Sequence, residues 1–187
     1  MVLLTGFEPF TTGQGLALTH NPTADIVQRV AARMEGVTAA VLPVSYAATP
    51  EALQALFERH QPRVWLGLGY APHRTTLDIE SLAVNVEHAI RGDNDGARPF
   101  MEEVVPGGPP AHRTRLDIPA AVRTFAEHGV EASVAFHAGT FMCNQVFYLG
   151  CHRVAAGALD LAAFIHVPPM EDFSAFERGL AALLEAL

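Results

Sequence analysis

The chain has 187 residues, of which 50% are hydrophobic and 17% are charged, and its formal net charge is −8. This length and composition exclude a disordered chain and predict one globular domain over residues 1–187. The negative charge and the lack of a Lys/Arg-rich run argue against a nucleic-acid partner, because phosphates need a basic surface. The run MVLLTGFEPF lacks the features of a signal peptide or membrane span, so we expect a cytoplasmic protein without a membrane partner.

Short apolar runs alternate with amphipathic segments along the whole chain. The pattern predicts strands at 2–7, 37–45, 64–70, 131–138 and 161–168, and helices at 22–36, 49–60, 118–129, 143–157 and 173–187. Residues 76–85 are predicted to be mostly extended, and residues 88–115 to form a long irregular excursion. This alternation indicates an α/β protein, a three-layer α/β/α sandwich with a mostly parallel central sheet.

Ligands of such folds bind at the carboxyl ends of the strands, which selects four segments of this chain. Residues 7–10 follow the first strand, residues 70–74 follow the third, Cys143 follows the strand ending near Ala138, and His166 ends the last strand. We expect these segments to converge at one edge of the sheet.

Two cysteines, Cys143 and Cys151, lie eight residues apart in one predicted helix. A helix separates them by roughly 12 Å, which is too far for a disulfide, so free thiols are expected. Cys143 lies at the helix start, where backbone N–H groups favour a thiolate and can stabilise an oxyanion. Cysteine also packs as a small hydrophobe, so position alone leaves both interpretations of Cys143 open and favours packing for Cys151.

His166 interrupts the apolar strand AAFIHVPP, which predicts a partly buried imidazole that can act as a base. Glu80, in the strand LDIESLAVN, is a carboxylate that could orient such a base. A core histidine bonded to a carbonyl and an ordinary surface carboxylate are the plainer interpretations. The chain has no HExxH motif, CxxC pair, P-loop or dinucleotide fingerprint, and the sequence therefore predicts no metal site.

Six short motifs occur in order along almost the whole chain: LLTGFEPF, NPT, IESLAVN, DNDG, AGTFMCN and FIHVP. In these motifs the chain resembles the pyroglutamyl peptidase I family, also called pyrrolidone-carboxylate peptidases. The resemblance implies removal of N-terminal pyroglutamate from peptides, an α/β/α fold, no cofactor, and assembly as a homodimer or homotetramer. It implies that Cys143 is the nucleophile, His166 the base and Glu80 the orienting carboxylate, with a thioester intermediate.

The resemblance also implies that Phe7, Phe10 and Phe141 contact the lactam ring of the substrate. Aromatic walls suit this flat, uncharged ring and disfavour a charged amino terminus that would have to be desolvated. Asn21, in NPT, and Tyr70, in GLGYAP, are implied as further substrate-binding residues. The run TTGQGLALTH lengthens the loop before Asn21 relative to the family pattern.

Three other positions depart from the family pattern. Tyr70 stands where the family typically has Gln, and Ser81 stands where Arg is usual. Ile90 occupies the position of an arginine that helps to polarise the scissile carbonyl, and Arg91 lies one place later. Either Arg91 serves as an oxyanion donor, or backbone N–H groups at Cys143 do so alone.

Two other functions compete with the peptidase hypothesis. A nucleoside phosphorylase-like enzyme on a similar fold would show phosphate-dependent activity that is indifferent to thiol alkylation. A non-catalytic binder of pyroglutamyl peptides would show binding without turnover.

Overall fold

A computed structural model describes residues 1–12, 15 and 17–187 of the chain. The elements in chain order are β1 (Val2–Phe7), α1 (Pro22–Ala31), β2 (Val37–Leu42), α2 (Ala48–His60), β3 (Val64–Tyr70), β4 (Leu77–Glu80), β5 (Leu82–Val84), β6 (Ala111–Arg113), α3 (Ile118–Glu127), β7 (Ala132–Ala135), α4 (Met142–Ala155), β8 (Leu161–Val167) and α5 (Ser174–Glu185). The predicted strands and helices are therefore confirmed, with ends that shift by a few residues. The lengthened loop before Asn21 includes residues 13, 14 and 16, which lie outside the described residues.

The central sheet has six strands in the order β2-β1-β3-β8-β4-β7. Strands β2, β1, β3 and β8 are parallel, β4 is antiparallel to β8, and β7 is parallel to β4. The prediction of a mostly parallel sheet is confirmed, but the two strands at one edge run in the opposite direction. Strands β5 and β6 form a separate antiparallel ribbon, so the extended region 76–85 is divided between two sheets. The prediction that residues 88–115 are irregular is wrong for β6, which pairs with β5.

Residues of the central strands alternate between two apolar clusters, one on each face of the sheet. Leu4, Leu66 and Ile165 belong to the cluster that also contains residues of α1, α3 and α5. Leu3, Trp65 and Phe164 belong to the other cluster, with residues of α2 and α4. These two clusters make the predicted three-layer sandwich. Within the described residues, no helix is both long and apolar enough to cross a membrane.

Gly150 allows α4 to pack closely against the sheet. A Cβ atom at this position would lie 2.6 Å from Cε3 of Trp65 and 3.2 Å from Cβ of Ala162. Trp65 is completely buried, and its indole N–H donates to the Thr5 hydroxyl at 3.1 Å, so the ring cannot easily move. The glycine interrupts the helical pattern because the indole ring occupies the space beside it.

Gly150→Ala should therefore destabilise the protein although alanine is the better helix former. We expect a loss of up to about 2 kcal/mol in urea unfolding, because overpacking costs about 1–3 kcal/mol and the gain in helix propensity offsets about 1 kcal/mol of this. The matched control is the same substitution in a Trp65→Phe background, where the smaller ring should reduce the loss. An increase in stability on Gly150→Ala alone would show that the indole does not restrict this position.

Candidate active site

All four segments predicted at strand ends line the same cavity of about 530 Å³, and three of them reach it from the carboxyl ends of neighbouring strands. Phe7 and Phe10 come from the end of β1, Tyr70 to Arg74 follow β3, and His166 lies near the end of β8. Because β1, β3 and β8 are neighbouring parallel strands, their carboxyl ends meet at one edge of the sheet. The predicted convergence is confirmed for these segments.

Cys143 also lines this cavity, but it arrives there by a different route from the predicted one. β7 ends at Ala135 and is antiparallel to the β1, β3 and β8 strands, so its carboxyl end does not point to the cavity edge. Residues 136–141 instead connect it to α4. The backbone of His88 holds this connection. Its backbone N–H donates to the Thr140 carbonyl at 3.0 Å, and its backbone carbonyl accepts from the Thr140 hydroxyl at 2.9 Å.

Asn144 fixes the start of α4 against the segment that follows β4. Its buried amide accepts a hydrogen bond from the Val84 N–H at 2.9 Å and donates to the carbonyls of Val84 and Val86 at 2.9 and 3.0 Å. The N-cap residue, Phe141, makes no side-chain capping bond. The position of Cys143 therefore depends on these contacts of its neighbour.

The thiol of Cys143 and the imidazole of His166 both pack against the backbone of Gly69 in β3. A Cβ atom on Gly69 would lie 2.9 Å from Cys143 Sγ, 2.9 Å from a ring carbon of Phe164 and 3.0 Å from His166 Cδ2. The two side chains of interest therefore approach the same point above the Gly69 backbone. A side chain at position 69 would displace them, so glycine is required there for steric reasons.

Glu80 is completely buried and contacts both His166 and Arg74. Its Oε1 accepts from His166 Nδ1 at 2.7 Å and from Arg74 Nη1 at 2.9 Å. The antiparallel register of β4 and β8 sets Asp78 opposite His166, so that Glu80 approaches the imidazole diagonally. The other oxygen of Glu80, Oε2, has no hydrogen-bond partner among the described residues.

Arg74 is a member of this network to which sequence reasoning gave no role. Besides Glu80, its Nη1 contacts Asp78 Oδ2 at 2.6 Å, and the hydroxyl of Thr76 donates to Oδ1 of the same aspartate. The only indication in the sequence that Arg74 belongs to the site is its position in a segment that follows a strand. Nothing local indicates that its guanidinium reaches a carboxylate six residues later.

Both partners of the expected proton transfer are held in their neutral forms. Burial and the negative charge of Glu80 together raise the pKa of the Cys143 thiol to about 12, against the opposing charge of Arg74. Burial also lowers the pKa of His166 from its ordinary value of 6.5, although the bond to Glu80 opposes this change. The expectation that the helix start lowers the pKa of the Cys143 thiol is therefore wrong for this structure.

The predicted aromatic residues line the cavity together with Asn21 and Tyr70. Phe7 is almost fully buried, and the ring of Phe141 packs edge-on against Tyr46 with 5.4 Å between centroids. Asn21 differs from the others, because its amide makes bonds within the chain. It donates to the Glu8 carbonyl at 3.0 Å and caps α1 through Thr23.

The two kinds of oxyanion donor expected from the sequence both belong to residues that line the cavity. The first hydrogen bonds of α4 run from Asn144 and Gln145 to the Phe141 carbonyl, so the N–H groups of Met142 and Cys143 precede them. Arg91 also lines the cavity, with its Nη1 placed 3.0 Å from where a Cβ atom on Gly15 would lie. No group of three or more potential metal ligands occurs among the described residues.

Comparison with known proteins identifies the family. A sequence model described as pyroglutamyl peptidase matches residues 1–182. The chain belongs to the pyroglutamyl peptidase family. It is therefore a hydrolase of the peptidase class. A pyrrolidone-carboxylate peptidase of Pseudomonas fluorescens is 40% identical over 192 residues, which cover 98% of this chain and 85% of that relative. One from Clavibacter michiganensis is 39% identical over 170 residues, covering 89% and 78%.

Solved structures of pyrrolidone carboxyl peptidases have the same fold as this pyroglutamyl peptidase family member. The crystal structure from Thermus thermophilus superposes with a TM-score of 0.90 at 34% identity and covers 100% of both chains. A mutant from Pyrococcus furiosus superposes with a TM-score of 0.89 at 30% identity, covering 98% of this chain and 96% of that one.

Replacing Arg74 should raise the pKa of His166, because the nearby guanidinium disfavours the imidazolium. In Arg74→Gln we expect the imidazole to titrate at higher pH than in the wild type, as followed by the ring-proton NMR signal assigned with a His166→Gln variant. Arg74→Lys keeps the positive charge and should leave the pKa low. A His166 pKa that is unchanged or lower in Arg74→Gln would contradict this electrostatic role.

Proposed function

We propose that this protein hydrolyses the peptide bond after an N-terminal pyroglutamyl residue through a Cys-His-Glu triad. The observation that carries the proposal is the buried 2.7 Å bond between Glu80 and His166, whose imidazole shares the space above Gly69 with the Cys143 thiol. Membership of the pyroglutamyl peptidase family supports the choice of substrate.

The first step is a proton transfer that accompanies attack. Because the Glu80 carboxylate accepts from Nδ1, the proton of the neutral imidazole resides on Nδ1 and leaves Nε2 as the base. Nε2 removes the thiol proton of Cys143 as the sulfur attacks the carbonyl carbon of the pyroglutamyl group. The buried carboxylate of Glu80 then stabilises the imidazolium that forms.

The attack yields a tetrahedral oxyanion, which the N–H groups of Met142 and Cys143 can stabilise. When it collapses, the C–N bond breaks and the imidazolium of His166 protonates the leaving amine, leaving the acyl group on sulfur as a thioester. His166 then removes a proton from water, which attacks the thioester and releases pyroglutamate and the free thiol.

The walls of the cavity support selection of the uncharged lactam. Phe7, Phe10 and Phe141 present apolar surface, and none of the described lining residues is Asp or Glu. A peptide with an ordinary charged amino terminus would have to lose water at this site without gaining a carboxylate partner. The pyroglutamyl ring carries no such charge.

The proposal extends to the form of the protein in solution. We infer one domain over residues 1–187, cytoplasmic residence and assembly as a homodimer or homotetramer. Four exposed apolar side chains, Ile90, Phe100, Met101 and Phe136, support the assembly because they would lose contact with water in an interface. Sedimentation would test the assembly directly, and a monomer at high protein concentration would contradict it.

Cys143→Ala should lower turnover of a pyroglutamyl reporter amide by at least about a thousandfold, because no other nucleophile is proposed. The matched control is Cys151→Ala, which removes the other free thiol, a buried packing residue of α4, and should retain turnover. A prolyl reporter amide should not be cleaved by either protein.

Three outcomes would contradict the assignment. Unchanged turnover in Cys143→Ala would exclude this nucleophile. Binding of the pyroglutamyl reporter without turnover by the wild type would favour the non-catalytic binder. Phosphate-dependent cleavage of nucleosides that survives thiol alkylation would favour the phosphorylase-like alternative.

The lowered pKa of His166 predicts how the rate responds to acid. The neutral imidazole is the reactive form, so protonation abolishes its function as a base, and a lowered pKa moves that loss to lower pH. The acid limb of kcat/KM for the reporter amide should therefore have its midpoint below 6.5, the ordinary value for histidine. A midpoint above this value would contradict the lowered pKa of His166.

A further inference from the structure

The side chains that line the cavity differ in charge from the chain as a whole. The chain has 20 acidic residues against 12 basic ones and a net charge of −8. Yet the described residues that line the cavity include no Asp or Glu. They include two arginines, Arg74 and Arg91, and the imidazoles of His73, His88 and His137 besides that of His166. Because Asp78 and Glu80 offset the charge of Arg74, the attraction of this lining for anions depends on Arg91.

The two arginines differ in what they can offer to a ligand. Arg74 contacts both Asp78 and Glu80, so its positive charge is already paired. Arg91 is exposed, and it forms no ion pair with any residue that the structure describes. Its guanidinium lies over Gly15, whose positive φ of 83° and missing side chain allow this approach. Arg91 is therefore the unpaired guanidinium among the described lining residues.

The cavity is also larger than the pyroglutamyl ring requires. Its volume of about 530 Å³ falls in the range of sites that enclose a drug-sized molecule. With the ring against the phenylalanine walls and its carbonyl at Cys143, the remaining space receives the part of the peptide that follows the scissile bond. Arg91 and the exposed imidazoles of His73 and His137 also line the cavity.

We propose that Arg91 determines specificity by binding a carboxylate that follows closely after the scissile bond. This inference rests on the proposed pyroglutamyl peptidase activity and names a preferred substrate class within it. The carboxylate is either the free C-terminus of a pyroglutamyl dipeptide or the side chain of an acidic residue after pyroglutamate. Guanidinium and carboxylate groups form charge-assisted, often bidentate, hydrogen bonds, which explains why an arginine suits this task.

Three substrates separate the two sources of the carboxylate: pyroglutamyl-alanine, pyroglutamyl-alanine amide and pyroglutamyl-glutamate amide. Released pyroglutamate is measured for each at low ionic strength. We expect kcat/KM for at least one carboxylate substrate to exceed that of the alanine amide by roughly fivefold or more, mostly through KM. The substrate that shows the larger ratio identifies the source. The advantage should shrink in high salt, because the pair is partly exposed.

Arg91→Gln tests the proposed contact between Arg91 and the substrate carboxylate. The quantity measured is the ratio of kcat/KM for the carboxylate substrate to that for the alanine amide. The ratio should fall toward one, whereas loss of an oxyanion donor would lower both rates equally and leave the ratio unchanged. Arg91→Lys should keep part of the preference. The matched control is Arg98→Gln, which removes an exposed arginine of the same segment that does not line the cavity.

The failure of this inference differs from the failure of the proposed function. Equal cleavage of all three substrates by the wild type, or an unchanged ratio in Arg91→Gln, would overturn the carboxylate preference and leave the peptidase activity intact. Cleavage of none of the three would contradict the proposed function itself.

Discussion

The structure of this site depends on one buried carboxylate. Taking a charged Glu80 out of water costs several kcal/mol unless charged or hydrogen-bonding partners compensate for the lost hydration. His166 and Arg74 supply these partners on a single oxygen, at 2.7 and 2.9 Å. The register of β4 against β8 sets Asp78 opposite His166 and so places Glu80 diagonally across from the imidazole.

The same network explains why the site contains a neutral thiol beside a neutral imidazole. Burial disfavours both the thiolate and the imidazolium, and the negative charge of Glu80 disfavours the thiolate further. In the proposed mechanism the Cys143 proton therefore moves during attack, when the oxyanion and the imidazolium form together and are stabilised by N–H donors and by Glu80. Arg74 lowers the pKa of both reacting groups, and so it tunes the site although it is not proposed to touch the substrate.

The sequence indicates much of this fold because its signals are local. Apolar runs predict the strands, and the carboxyl ends of β1, β3 and β8 then give the positions of Phe7, Tyr70 and His166. The route of Cys143 is not predictable in this way, because the direction of β7 depends on which strand it pairs with. The contact of Arg74 with Glu80 and the raised pKa of the Cys143 thiol are likewise products of tertiary packing, which no local pattern specifies.

The most direct test of this account is detection of the acyl group on sulfur. The enzyme is mixed with a reactive pyroglutamyl ester, for which thioester hydrolysis should be slower than acylation, and the reaction is quenched in acid. Peptide mapping by mass spectrometry should then find the pyroglutamyl group on the peptide that contains Cys143. A burst of alcohol release without this adduct, or an adduct on another residue, would contradict the assignment of Cys143 as the nucleophile.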